Sequence, residues 1–391
     1  MIVKNINIQK SESFFYYYAN SNASIIQLED NNYILSFKSF RRKSIVESIS
    51  NHENNPSMNH PWVGGPESYT WWQPEVGGFI GTGYMILDSN FNVIQILDTK
   101  FDDWNDVRLI ETNGKLLATY HTQTDLDEIS IKGPGGRGHY IMVVNERMGA
   151  DIPGDFSSCY SLIHATELLL SKENEIYSIE DVDTKIACQN VSSYNEKNWS
   201  FWTYDKQLYI SYFLIPHHIV FESDKDNINN CSIFISQNET IFNKIEKYYD
   251  GAIRFSLGTP AIQLSDIEYM AVGHVVLMSD KVKAGTIGFI KNIEFNELSP
   301  LPGHNARYFM FMYTFHPNTL ETKRVSHAFL PPKAETNVVF PTGLLINNNK
   351  EIVISYGESD SSIKILTFPL NSLDLYLHDN ITVETFDFIK Y

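Results

Sequence analysis

The sequence has few residues that cross-link a chain and no stretch that could span a membrane. Its 391 residues include three cysteines, Cys159, Cys188 and Cys231. The number is odd, the spacing wide, and no two form a CxxC pair. This argues against a disulfide framework and against a zinc centre, and no metal site is expected. The thiols read as small buried hydrophobes. No apolar run approaches the roughly twenty residues that span a bilayer. Met1 to Lys10 shows no continuous apolar stretch of the kind a signal peptide carries. The expectation is a cytoplasmic protein with no membrane partner. Basic residues are also scarce: 30 Lys and Arg stand against 47 Asp and Glu, for a formal net charge of −17. A nucleic-acid binder needs a basic surface to neutralise phosphates, so nucleic acid is set aside as a partner. A local basic pocket for a phosphate or sugar nucleotide remains compatible with that charge.

What the chain does have is aromatic and β-branched residues, with 22 Tyr and 24 Phe, a composition that favours strands. A stanza recurs five times: a short polar or small-residue cluster runs into apolar residues, then a turn, then a strand-like run. The copies begin at Asn22-Ala-Ser-Ile-Ile26, Asn105-Asp-Val-Arg-Leu-Ile110, Glu196-Lys-Asn-Trp-Ser-Phe201, Gly258-Thr-Pro-Ala-Ile262 and Pro341-Thr-Gly-Leu-Leu345. Their second halves are Tyr33–Phe37, Leu116–His121, Leu208–Tyr212, Tyr269–His274 and Ile352–Asp360. Five strand-turn-strand units predict an all-β fold, a five-bladed β-propeller. The start of each copy would face one central pocket. No convincing linker interrupts the chain, so residues 1–391 are read as a single domain.

Between the stanzas, Tyr84–Leu97 reads as a hairpin around Asp-Ser-Asn, and Tyr308–Phe315 with Thr322–Leu330 as another. Thr240–Tyr248 is the one helical stretch. Residues 51–79, with Trp71 and Trp72, read as a long aromatic loop that could cover the pocket. Gly133-Pro-Gly-Gly-Arg-Gly138 lacks the Lys-Ser/Thr of a phosphate loop and reads as a hairpin tip.

Several residues could carry chemistry. Asp106 and Arg108, two apart on a strand, share a face. They are either a structural ion pair or an acid beside a sugar- or phosphate-binding cation. Glu196-Lys197-Asn198-Trp199 groups a carboxylate, an ammonium, an amide and an indole. The group could bind a polyol, with Trp199 beneath a sugar ring, or could equally be a capped turn with Trp199 packed inside. His121, His217, His218 and His274 fall near inner-strand ends and suit a hydrogen-bonding pocket better than a metal. Glu358 and Asp360 are presented together after Gly357, as paired carboxylates for glycosidic chemistry or as a solvated turn.

Taken together the stanzas resemble the five-bladed propeller glycosidase superfamily, and within it glycoside hydrolase family 130, the mannoside phosphorylases and β-1,2-mannosidases. Asn22-Ala-Ser24 is similar to that family's Asn-Pro-Ser-like opening, Asn105-Asp-Val-Arg108 to its Glu-Asp-Pro-Arg-like motif, Gly258-Thr-Pro-Ala261 to its Gly-Thr-Pro-Pro, and Tyr356-Gly-Glu-Ser-Asp360 to its Tyr-Gly-Ala-Ala-Asp-like ending. Asn105, Val107 and Ala261 depart from the pattern. The likeness covers approximately residues 20–368.

The resemblance implies a carbohydrate substrate, Asp106 as general acid, and Arg108 as a substrate or phosphate ligand. It implies that Asp360 holds sugar hydroxyls and that Lys197 and His274 contact phosphate. Asn198 and Thr259, at the starts of the third and fourth stanzas, join them as substrate-binding candidates. No cofactor is implied beyond inorganic phosphate as a co-substrate. In a hydrolase, Glu196 or Glu358 would instead activate water. A related glycosyltransferase family moves mannose from a sugar nucleotide on the same propeller, and a non-catalytic glycan-binding propeller is the third reading. The sugar, the linkage and the oligomeric state are not encoded in these motifs.

Overall fold

Short runs of Ile, Val, Leu, Phe and Tyr, separated by Asn-, Asp- and Gly-bearing turns, form 23 strands among the described residues. The computed structural model describes residues 1–6, 18–41, 79–101, 104–125, 159–188, 198–224, 227–278, 306–336, 338–358 and 362–391. After β1 (Ile2–Ile6) come β2 (Tyr18–Gln27), β3 (Tyr33–Arg41), β4 (Phe79–Leu87) and β5 (Val93–Phe101), which form one antiparallel sheet in chain order. A second is built from β6 (Asn105–Thr112), β7 (Lys115–Asp125), β8 (Cys159–Glu173) and β9 (Ile176–Ile186). A third is built from β10 (Ser200–Tyr204), β11 (Gln207–Phe213), β12 (Ile219–Asp224) and β13 (Asn227–Ile235).

Helix α1 (Ile241–Tyr248) follows, with the Thr240 side chain accepting from the Asn243 amide as N-cap. The fourth sheet contains β14 (Ile253–Ser256), β15 (Ile262–Ser265), β16 (Glu268–Met278), β17 (Ala306–Phe315), β18 (Thr322–Val325) and β19 (Ala328–Leu330). The last is built from β20 (Val339–Ile346), β21 (Glu351–Glu358) and β22 (Ser362–Pro369). The C-terminal β23 (Phe388–Lys390) runs parallel to β19 and brings the fourth sheet to seven strands. The N-terminal β1 pairs antiparallel with β22, from Ile2 opposite Thr367 to Ile6 opposite Ile363, and makes the last sheet four-stranded.

The arrangement is a β-propeller. Three sheets are four-stranded meanders and the last is a three-stranded meander completed by β1, where five like blades were expected. The remaining, seven-stranded sheet departs from them because its inner edge is split between β14 and β15, and because β18, β19 and β23 extend its outer side.

Two-residue turns between successive strands of a sheet explain much of the regularity. Asn113-Gly114, Asn174-Glu175 and Asp205-Lys206 all have positive φ at both positions, which matches the twist of a tight hairpin. Apolar residues then pack between neighbouring sheets. Ile34, Tyr84 and Ile86 of the first sheet meet Val107, Leu109 and Ala118 of the second. Ile163 and Ala165 meet Phe201, Ile210 and Phe221 of the third. Ile25, Leu35 and Met85 meet Val353, Ile363 and Ile365 of the last. The largest cluster joins Trp202 and Val220, Met270 and Phe311, and Val339 and Ile352, so it spans the third, fourth and last sheets. Strand β21 sits between two partners and is buried from Ile352 to Glu358, which accounts for the apolar run Ile352-Val353-Ile354 near its start.

Cys188 and Cys231 form a disulfide with Cα atoms 5.1 Å apart. This corrects the expectation of three free thiols. The two residues are 43 positions apart in sequence, and the sheet packing brings them together. The Cys188 amide also donates to the Ile228 carbonyl, so the end of the second sheet is tied to the outer strand of the third. No helix among the described residues is long and apolar enough to cross a membrane.

Candidate functional site

The innermost strands carry the site. On β2 the register shifts between Ser21 and Ser24, on β6 between Asn105 and Arg108, and on β20 between Pro341 and Gly343. These are β-bulges, which re-aim a side chain away from the regular pleat. Asn22 and Asp106 occupy the first two bulges, with φ of 48° and 49°, and Asn198 at the entry to β10 has φ 62°. Asn and Asp tolerate this left-handed backbone better than other side-chain-bearing residues.

Hydrogen bonds connect the stanza starts. The Thr342 hydroxyl donates to the Ala23 carbonyl at 2.7 Å, and the Leu109 amide donates to Ser24 Oγ at 2.9 Å. Arg108 Nε donates to the Gly258 carbonyl at 2.8 Å, and Ser200 Oγ donates to the Thr259 carbonyl at 2.5 Å.

Asp106 is at the centre of this network. Its Oδ1 accepts from Asn22 Nδ2 at 2.9 Å and lies 3.5 Å from Lys38 Nζ. Its Oδ2 lies 4.0 Å from His121 Nδ1. Arg108 Nη1 donates to the Asp106 backbone carbonyl. Burial by itself would push the Asp106 carboxyl up. Lys38, His121 and Arg108, with the Asn22 amide, outweigh it and hold the carboxyl well below the usual range. Asp106 is therefore ionised at neutral pH.

Arg108 is 3% exposed, and its Nη2 has no hydrogen-bond partner among the described residues. Its guanidinium lies 5.8 Å from the Phe340 ring centroid, and the His274 ring lies 4.5 Å from the same ring. Phe340 thus brings Arg108 of the second sheet and His274 of the fourth to one place. Lys38, Arg108 and His121 surround one carboxylate, and His274 adjoins them through its contact with Phe340, in a protein whose net charge is −17. Such a cluster can take an anion or the oxygen-rich face of a polyol.

Of the residues singled out from sequence, Asp106, Arg108 and His274 meet here. Asn198 is partly exposed at the equivalent point of β10. Thr259 is near the cluster but fully buried: its hydroxyl accepts the Val272 amide at 3.0 Å and its amide donates to the Val272 carbonyl. Those bonds hold Thr259 to strand β16. Glu358 is also committed. Its Oε1 accepts the Glu335 and Thr336 amides at 2.6 and 2.7 Å, and Oε2 pairs with Lys364. At 2% exposure it tethers the 335–336 segment and does not present a base to a pocket.

Trp199, 2% exposed, packs edge-on against Tyr212 and Phe221, so it is a core residue and offers no face to a sugar. Of the four histidines, His121 and His274 reach the cluster. His218 is buried against Ser211 and the Leu320 carbonyl, its pKa pushed down to about 4 chiefly by burial, and His217 bonds the Ser236 and Asn238 carbonyls. Glu196, Lys197, Asp360, Trp71 and Trp72 lie outside the described residues. Lys38, Asn22 and Phe340 were not picked out as site residues. Lys38 ends an inner-strand run just as His121 does, and that shared position was the available signal. No group of three or more His, Cys, Asp or Glu able to hold a metal occurs among the described residues.

No family model and no curated protein matches the sequence. Solved structures do match it in fold. A β-1,2-mannobiose phosphorylase from Listeria innocua, in complex with β-1,2-mannobiose, superposes with a TM-score of 0.50 at 9% identity, over 93% of this chain and 94% of that one. A mannose phosphorylase from Leishmania mexicana, in complex with phosphate ion, has a TM-score of 0.48 at 8% identity, over 97% and 92%. A GDP-Man-dependent mannosyltransferase from the same organism has 0.45 at 10%, over 98% and 94%. The first of these likenesses supports the β-propeller assignment. At such identities the kinship is one of fold.

Proposed function

We propose that the chain is a carbohydrate-active enzyme that cleaves glycosides, mannosides in particular, by inverting phosphorolysis at the centre of the propeller. The observation that carries this is Arg108: a buried guanidinium beside an ionised carboxylate, with Nη2 unused among the described residues. A buried donor without a partner is costly, and an incoming oxyanion would supply the partner. The seven-stranded sheet is read as a fifth, enlarged blade, and residues 1–391 as one domain. The motif likeness to glycoside hydrolase family 130 and the fold shared with a mannobiose phosphorylase agree with the reading.

In this mechanism a phosphate oxygen attacks the anomeric carbon while the glycosidic bond on the opposite face breaks, with inversion. The leaving oxygen takes a proton that Asp106 delivers, directly or through a sugar hydroxyl. Asp106 is ionised in the free protein, so it must first gain that proton. Phosphate bound to the same cations would offset their pull and raise its proton affinity. His274 and Lys197 are further phosphate contacts in this reading, and Asp360 holds sugar hydroxyls. The Cys188–Cys231 bond favours an oxidising compartment over the cytoplasm.

The test is a screen of glycans and sugar phosphates with and without inorganic phosphate, with products read by mass. A sugar 1-phosphate formed only with phosphate supports the reading. Release of free sugar without phosphate makes the chain a hydrolase. Turnover that requires a sugar nucleotide makes it a transferase, and binding with no turnover under any condition makes it a glycan-binding module.

A further inference from the structure

The glycine of the last stanza faces the first. Gly357 lies on β21 opposite Phe340, while Asn22 belongs to the bulge of β2 in the neighbouring sheet. A Cβ on Gly357 would strike Asn22 Oδ1, would come within 2.7 Å of the Asn22 amide nitrogen, and would press on Ser21 Cβ at 3.3 Å. Real Cβ atoms do not approach backbone nitrogen that closely, and Asn22 has little freedom to retreat. It is 7% exposed, its φ is 48°, and it sits in a bulge whose next residue, Ala23, accepts a hydrogen bond from Thr342. The φ of Gly357 does not require a glycine, since only Gly114 and Gly251 have positive φ among the described glycines. Space is what requires it.

Asn22 in turn donates Nδ2 to Asp106 Oδ1 at 2.9 Å. A displacement at Gly357 is therefore transmitted through one rigid side chain to the carboxylate. We propose that Gly357 is a positioning residue: the missing side chain lets the last sheet close against the first so that Asn22 seats Asp106 among Lys38, Arg108 and His121. This rests on the reading of Asp106 as the reacting carboxylate and extends it. Neither Gly357 nor Asn22 needs to touch substrate. Ring closure and site geometry are then one event, because the contact that seats Asn22 is also the seam between the last and first sheets.

The experiment reads the carboxyl directly. With 13C-labelled aspartate, the Asp106 side-chain signal is assigned by its loss in Asp106→Asn and titrated in the intact protein. Gly357→Ala is expected to move its midpoint upward, towards the ordinary carboxylate range, because the amide that favours the charged form is displaced. On a glycoside that the wild type turns over, kcat should fall roughly ten- to hundredfold with KM little changed, because a carboxyl moved off the glycosidic oxygen delivers its proton poorly even when it holds that proton more readily. Asn22→Gly keeps the left-handed backbone, removes the amide and should reproduce the same titration shift. If Gly357→Ala does not fold, Asn22→Gly decides the matter. An unmoved midpoint in a folded Gly357→Ala protein, or in Asn22→Gly, overturns the proposal. A wild type with no turnover on any glycoside would sink the functional reading instead, and the titration would still decide the positioning role.

Discussion

Arg108 Nε donates to the Gly258 carbonyl at 2.8 Å, joining residues 150 positions apart and two sheets of the propeller. One face of the guanidinium is thereby fixed by backbone, while Nη2 is left for something else. The residue joins two sheets and stands in the candidate site at once.

Arg108→Lys should separate those two tasks. Lysine keeps the charge but loses the fork of donors. Phosphate affinity should fall by about tenfold or more, in line with about 1.5–3 kcal/mol for a charge-assisted bond. Calorimetric titration with inorganic phosphate, beside a thermal melt, measures both consequences. Undiminished phosphate binding would remove Arg108 from the ligand set.

Asp106→Asn should abolish turnover, by about 10²–10⁴-fold, while sugar binding survives, since Asn keeps the size but cannot deliver a proton. Near-normal activity would transfer the acid role to another carboxylate. The same variant tests the electrostatics. The folded-state pKa of Asp106 is depressed, so its contribution to stability is present above the ordinary carboxylate value of about 3.9 and is lost as pH falls through the lower folded value. Wild type should be more stable than Asp106→Asn at neutral pH, and the gap should narrow under acid. Melting curves down to strongly acidic pH would show it, and a gap that widens contradicts the assignment.

Glu358→Gln should cost stability rather than chemistry. Gln at 358 leaves the buried Lys364 with Glu335, 3.3 Å away, as its remaining carboxylate, a loss on the order of 1–3 kcal/mol. Denaturant unfolding reads that loss. A stable Glu358→Gln protein with abolished turnover would restore Glu358 as the hydrolytic base.

Gly258→Ala should loosen the ring where Arg108 grips it. Its Cβ would lie 2.6 Å from the Val272 carbonyl oxygen and 2.9 Å from that of Pro341, both backbone atoms with little freedom to move. Destabilisation of about 1–3 kcal/mol is expected, as for other overpacked sites. An unchanged melting temperature would mean that the seam between the fourth and last sheets is more compliant than drawn.

Reducing the Cys188–Cys231 bond should lower stability by roughly 2–4 kcal/mol. Melts with and without reductant, compared with Cys188→Ala/Cys231→Ala, test this. Equal stability under both conditions would mean that the bond contributes nothing.

Much of the plan was legible in the chain because inner strands of a propeller repeat one local problem. Each must present a polar start at the axis and an apolar run to the next sheet. Asn22, Asp106 and Asn198 betray that repeat by residue type, and all three have the left-handed backbone their side chains tolerate. The hairpin turns and helix α1 were readable for the same local reason, with Thr240 capping the helix.

What depended on long-range contact was not readable. The chain does not reveal that β1 completes the last sheet, or that the fourth sheet gathers seven strands, because strand pairing across hundreds of residues leaves no local pattern. Cys188 and Cys231 looked unrelated for that reason. Glu358, Thr259 and Trp199 have the residue types of a site, and only packing shows that their polar atoms or faces are already engaged. The sequence alone determined an all-β repeat with polar strand starts, since periodicity and turn chemistry are local. Only the tertiary structure decided which starts meet, that Lys38, His121 and Arg108 hold Asp106 ionised, and that Gly357 leaves room for Asn22. Charge and sterics act through space, and the chain is silent about distance until it is folded.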